Sequence, residues 1–209
     1  MNPRRRRLLA ALALAPLPVL AQQRLPAPGV DYTELRPPQP VQAGKIEVIE
    51  FFWYGCPSCY AIEPLLEKWV PRLPGDVFFH RVPALLNDRW AADAAVFYTF
   101  EALGLVDKLH RPYFDAIHRD RVNTRDAAAR NEWLKKNGVD VKRFEDAYKS
   151  FGVQSKVRRA MQQSIDYRID GTPAMAVHGR YTISLEQGRG FEGMLGVAEH
   201  LIGVARKGG

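Results

Sequence analysis

The stretch Val48-Ile49-Glu50-Phe51-Phe52-Trp53-Tyr54-Gly55-Cys56-Pro57-Ser58-Cys59-Tyr60 decides the fold. β-Branched and aromatic residues run from Ile46 to Phe52 with few interruptions, the pattern of a strand buried on both faces. From Pro57 to Val70 the period changes. Ile62, Leu65, Leu66 and Trp69 recur at three-to-four spacing, which predicts a helix with Pro57 in its first turn, where a missing N–H costs nothing. Pro64 falls inside this helix and predicts a kink. Cys56 and Cys59, the only cysteines of the 209-residue chain, therefore stand where a strand hands over to a helix N-terminus.

Such a pair can be a redox centre, a structural staple or half of a metal site. A disulfide closing so short a loop stabilises by about 2 kcal/mol, against about 4.7 for a 100-residue loop. A chain of this size buries its own core without that contribution, so redox use is favoured. Zinc would need two further ligands. His80, His110, His118, His178 and His200 form no paired ligand spacing, and no metal is expected. A thiolate, not a thiol, attacks disulfides, and a thiolate at Cys56 would lie among the unpaired N–H groups of a helix N-terminus. Cys59, one turn in, is expected to be less exposed and to resolve the exchange. Stabilising the Cys56 thiolate stabilises the reduced protein and makes its disulfide a stronger oxidant. At pH 7 a pKa near 5 is worth about 2.7 kcal/mol, or about 60 mV for two electrons.

Two residues upstream of the pair have alternative readings. Glu50 is either an inward carboxylate with a raised pKa or one that reaches solvent at a strand edge. Its neighbours Ile49 and Phe51 favour the first, which would let it exchange protons with Cys59. Tyr54, like Trp53, is either a core or a rim aromatic.

Working outward, Val77–Val82 reads as a second strand, so the strand–helix–strand order predicts a right-handed crossover and a parallel pair. Residues 88–168 then carry amphipathic helices at 90–103, 106–118, 124–137, 142–150 and 155–167, with no strand candidate among them. Strand signals return at Ala174–His178 and Tyr181–Ser184, joined through His178-Gly179-Arg180, and a helix at 191–205 closes the chain. Gly171-Thr172-Pro173-Ala174 precedes the first of these strands, where a proline is tolerated. A cis Thr172–Pro173 bond would leave the Thr172 backbone free to pair with an extended chain. The predicted class is α/β: a thioredoxin fold, its mixed central sheet flanked by helices, split by an all-helical insertion. Its parts are 45–87 with the cysteines, 88–168 as the insertion, and 169–209 with the proline.

Residues 22–44 hold five prolines and read as an extended lead-in with one short strand at Tyr32–Leu35. Residues 1–21 read as an export signal: Arg4 to Arg7, an apolar stretch from Leu8 to Leu20, and a small-residue cleavage site at Val19-Leu20-Ala21. An uncleaved anchor is the competing reading, weakened by Pro16 and Pro18. Tat and ordinary secretion both fit. The full chain carries 30 Lys and Arg against 23 acids; without the four signal arginines 26 remain, a net +3. So small a surplus argues against a nucleic-acid-binding protein.

These motifs, in this order, resemble the DsbA family of periplasmic thiol:disulfide oxidoreductases. The resemblance rests on Asp31-Tyr32-Thr33-Glu34-Leu35, Val48 to Phe52, Cys56 to Tyr60, Gly171 to Ala174 and His178-Gly179-Arg180-Tyr181, and covers essentially the whole mature chain. It implies that Cys56 is the nucleophile, Cys59 its buried partner, Glu50 the acid assisting proton transfer and Pro173 a cis-proline. Pro57 and Ser58 would tune the pair, and Tyr54, Thr172 and Pro173 would bind substrate. It further implies a monomer with no cofactor beyond its own Cys56–Cys59 disulfide, passing that disulfide to reduced exported proteins and reoxidised by a DsbB-like membrane protein. Two departures stand out. Many members have His where this chain has Ser58; a hydroxyl adds no positive charge, so a weaker oxidant is expected. Thr172 is also similar to the isomerase branch. Isomerases of that branch resemble dimers with an extra N-terminal domain, and the roughly 24 residues between the predicted cleavage site and Ile46 are too few for one. A target-specific reductase and a redox-independent chaperone with a groove near Tyr54 and Thr172 are the remaining alternatives.

Overall fold

The computed structural model describes residues 24–208; the predicted signal at 1–21 lies outside them. Five strands form one sheet: β1 (Thr33–Glu34), β2 (Ile46–Phe52), β3 (Val77–Pro83), β4 (Ala174–Val177) and β5 (Tyr181–Ser184), in the order β1-β5-β4-β2-β3. Only β2 and β3 run parallel, because α1 (Pro57–Trp69) crosses between them; the other pairings are antiparallel. Between β3 and β4 lie α2 (Ala91–Ala102), α3 (Val106–His118), α4 (Ala127–Lys136), α5 (Val141–Tyr148) and α6 (Phe151–Asp166), and α7 (Phe191–Gly208) ends the chain. This is the α/β thioredoxin fold with a helical insertion.

Strand alternation divides β2 between two cores. Ile46 and Val48 join Ile62 and Leu66 of α1, Met175, Val177 and the inner face of α7. Ile49 and Phe51 face the other way, with Ala174, Ala176 and Tyr167, into a core continuous with the helical insertion. Glu50 lies on the first face, opposite Arg81 of β3 and Met175 of β4.

Several boundaries differ from the sequence reading. β1 contracts to two residues, although the Leu35 N–H still bonds the Arg180 carbonyl at 2.8 Å. α1 runs unbroken through Pro64. α4 begins at Ala127, not Thr124, because the Asp126 carboxylate accepts from the Ala129 N–H at 2.8 Å. α6 begins four residues before Ser155, capped by Ser150. Its first residue, Phe151, is 81% exposed and so interrupts the apolar period that marks the rest of the helix.

The β4–β5 hairpin turns at His178 and Gly179, both with positive φ, the two-residue turn whose twist suits a hairpin. A Cβ on Gly179 would meet the Gln39 carbonyl oxygen at 2.2 Å, so this glycine also lets the lead-in lie against the hairpin.

Candidate active site

β2 delivers the chain into a tight turn, in which the Cys56 N–H bonds the Trp53 carbonyl at 3.0 Å. Gly55 is required within it by close approach, since a Cβ there would meet the Trp53 ring at 2.2 Å. Cys56 is the N-cap of α1: extended backbone, Pro57 at the next position, and Sγ accepting from the Cys59 N–H at 3.2 Å. Both cysteines are free thiols. Cys56 retains 7% exposure and Cys59 none. The Cys59 thiol's hydrogen bond, with smaller contributions from Thr172 and the N–H groups of Cys59 and Ser58, draws the Cys56 pKa down to about 6 against the opposing effect of burial. Burial first, and then the neighbouring Cys56, push Cys59 well above the usual thiol range. The pair is thus strongly unequal.

Across from the cysteines, the Thr172–Pro173 bond is cis, and the Cys56 thiol donates to the Thr172 carbonyl at 3.3 Å. Thr172 is half-buried at the surface and Pro173 buried behind it. An extended chain that paired with the Thr172 backbone would pass directly over Cys56.

On the inner side, Glu50 is fully buried and receives the Arg81 Nε–H on Oε2 at 2.9 Å, while its Oε1 has no protein partner. Burial raises its pKa to about 8, opposed by Arg81. Arg81 also reaches Glu63 of α1 at 3.2 Å, and Glu63 accepts from His110 Nε2 of α3 at 3.3 Å. Against its burial, the bonds from His110 and the charge of Arg81 hold Glu63 below the ordinary carboxylate range. Two carboxylates share one guanidinium, and the better-connected Glu63 takes the charge while Glu50 retains its proton. Burial lowers the His110 pKa, so the ring is neutral. A carboxylate only accepts, so Nε2 bears the hydrogen and Nδ1 accepts from the Tyr54 hydroxyl at 2.9 Å.

The structure brings together Glu50, Cys56, Pro57, Ser58, Cys59, Thr172 and Pro173. Tyr54 is a correction. Its side chain is 1% exposed, bonded to His110 and packed edge-on against Phe52, Tyr113 and Phe114, so it cannot line a substrate groove. Arg81, Glu63 and His110 were missed. The available signals were charged residues at inward positions: Arg81 within an apolar strand, and Glu63 beside Ile62 on the inner face of α1. Among the described residues no group of His, Cys, Asp or Glu side chains converges on a metal position, and no helix is long and apolar enough to cross a membrane.

Known proteins are similar to this chain in sequence and fold. Residues 47–192 match the family described as DSBA-like thioredoxin domain. The chain is 42% identical over 199 residues to the thiol:disulfide interchange protein DsbA of Azotobacter vinelandii, covering 93% of each. Its identity to DsbA of Pseudomonas aeruginosa is 38% over 197 residues, again covering 93% of each. The crystal structure of Pseudomonas aeruginosa DsbA superposes with a TM-score of 0.82, covering 86% of this chain and 94% of that one. The oxidoreductase DsbA of Xylella fastidiosa, 31% identical, also gives 0.82 over 88% and 100% of the two chains. A family match over more than half the sequence, with relatives this similar from end to end, leaves one assignment: the chain belongs to the DSBA-like thioredoxin domain family.

Proposed function

We propose that this protein is a thiol:disulfide oxidoreductase that introduces disulfide bonds into reduced exported proteins by exchange at Cys56 and Cys59. The observation that carries this reading is the unequal pair, an acidified Cys56 capping α1 and a fully buried Cys59 of high pKa. In the oxidised enzyme a substrate thiolate attacks Cys56 Sγ, forming a mixed disulfide and expelling Cys59 as a thiolate. Cys59 then takes a proton, for which Glu50, protonated at neutral pH, is the nearby donor. A second substrate thiolate attacks the substrate sulfur of the mixed disulfide and expels Cys56. Two electrons and two protons have then left the substrate, which holds the disulfide, and the enzyme is a dithiol.

Cys56 favours the oxidising direction. At pH 7 a pKa of about 6 stabilises the reduced form by about 1.4 kcal/mol, or about 30 mV, over a thiol that remains protonated. Thr172 and Pro173 would hold the substrate chain, and no cofactor beyond the cysteine pair is needed. We further propose a periplasmic location, from the N-terminal signal reading, and reoxidation by a DsbB-like membrane protein.

Oxidative refolding of a reduced, disulfide-dependent substrate tests the reading. Cys56→Ala is expected to abolish disulfide formation; retained refolding would indicate a chaperone instead. Equilibration with glutathione tests the direction. A potential towards the oxidising end of the known scale, about −120 mV, is expected for an oxidase, and one near about −270 mV would make the protein a reductase.

A further inference from the structure

A histidine from another part of the chain lies against the turn that presents Cys56. His118 is the last residue of α3 in the helical insertion. Its Nε2 lies 2.8 Å from the carbonyl oxygen of Tyr54, one of the two central residues of the Trp53–Cys56 turn. A carbonyl only accepts, so Nε2 carries a hydrogen. The same ring stacks on Tyr60, with centroids 5.0 Å apart and planes at 11°. Tyr60 belongs to the first turn of α1, its N–H bonded to the Cys56 carbonyl at 3.1 Å. His118 therefore touches the residue two before Cys56 and the residue four after it, and flanks the nucleophile from the insertion side.

We propose that His118 is a positioning residue for exchange at Cys56: its bond to the Tyr54 carbonyl and its stack on Tyr60 fix the turn that presents the thiol. This rests on Cys56 being the redox nucleophile. The charged side chains beside it are engaged with one another and with α1. Asp115 lies one turn back on α3, takes the Tyr60 hydroxyl at 2.8 Å and is flanked by Arg111 and Arg119 at 3.4 and 3.3 Å. Arg119 also pairs with Asp120, and Arg111 with Glu67 of α1. The contact with the turn's carbonyl is left to His118.

Two variants test the contact. The amide of His118→Gln can still donate to the Tyr54 carbonyl, whereas His118→Ala cannot. The readout is the rate of disulfide transfer to a reduced peptide. His118→Ala is expected to slow transfer about threefold to tenfold, the worth of one hydrogen bond, and Gln to restore it. Transfer by the Ala variant as fast as by wild type, or a slow rate that Gln leaves unrestored, would overturn the proposal. Failure of the underlying reading looks different: wild type itself would show no transfer.

Discussion

The two cores flanking the sheet are built on different chemistry. The centre of the layer between the sheet and α7 is aliphatic: Val48, Leu66, Val177, Ile183, Leu195, Leu201 and Ile202, with Met175 and Met194 among them and aromatic residues such as Tyr32 and Trp69 beside them. The core shared with the insertion is aromatic, with Phe52, Tyr54, Phe97, Phe100, Tyr113, Phe114 and Phe144 in edge-on or tilted contact, and buried polar groups set among them at Asp93, Thr99, His110 and Arg130. Glu50 lies on the aliphatic side of β2, two residues before Phe52 enters the aromatic core. The redox pair thus sits at a seam. Away from Glu50 the aliphatic layer holds the sheet without titrating, whereas the ionisable groups of the site gather at the seam: Glu50 and Arg81 from the sheet, Glu63 from α1 and His110 from α3.

Removing Arg81 should break this contrast most severely. Arg81→Met leaves the buried Glu63 carboxylate without that cation and the Glu50 carboxyl without its donor, and losing one partner of a buried ion pair costs about 3–5 kcal/mol. The loss should be largest at neutral and alkaline pH, where Glu63 is ionised, and should shrink in acid as it protonates. Leu201→Ala in the aliphatic layer is the counterpart, costing about 2–5 kcal/mol through a cavity, with no such pH dependence. Urea unfolding of both variants across pH is the measurement. Parallel pH profiles would mean that the seam is not electrostatically distinct.

What was legible in the sequence follows the same division. The placement of Cys56, Pro57, Cys59, Glu50 and Thr172–Pro173 was legible because each is encoded by its neighbours: a strand, a turn, a helix start, a proline before a strand. The element order followed from period, and the parallel β2–β3 pair from the strand–helix–strand crossover. Arg81 was read only as part of a strand, because its role depends on a register that sets it opposite Glu50, and register is a pairing between strands. Glu63 and His110 needed the packing of α1 against α3. Tyr54 was misassigned for the same reason: alternation along β2 cannot say that α3 covers the turn beyond the strand.

A smaller effect isolates the Glu50 proton. With a folded-state pKa raised from 4.5 to about 8, Glu50 binds its proton more tightly in the folded chain than in the unfolded one. Its contribution to stability is therefore fully present below pH 4.5 and is lost as pH rises to about 8, at up to about 1.4 kcal/mol per pH unit. Glu50→Gln, which cannot ionise, should flatten stability against pH across that window. An unchanged slope would place the proton elsewhere.

The smallest expected effect marks how far the aromatic side stays coupled to the cysteines. The Asp140 carboxylate caps α5, accepting from the Arg143 N–H at 3.0 Å, and α5 packs on α2, α4 and α6, away from the cysteine turn. Asp140→Ala should cost about 1 kcal/mol of stability, the usual worth of such a cap. The groups that reach the turn from the insertion come instead from α2 and α3: Asp93 to the Trp53 indole at 2.7 Å, His110 to the Tyr54 hydroxyl, and His118 to the Tyr54 carbonyl. None of them is on α5, so the glutathione equilibrium of Asp140→Ala should equal that of wild type while its urea midpoint falls. A shift in the redox equilibrium would mean that strain at the outer helices reaches Cys56 through the shared aromatic core, and that the insertion acts on the thiol as one rigid unit rather than through the residues that touch the turn.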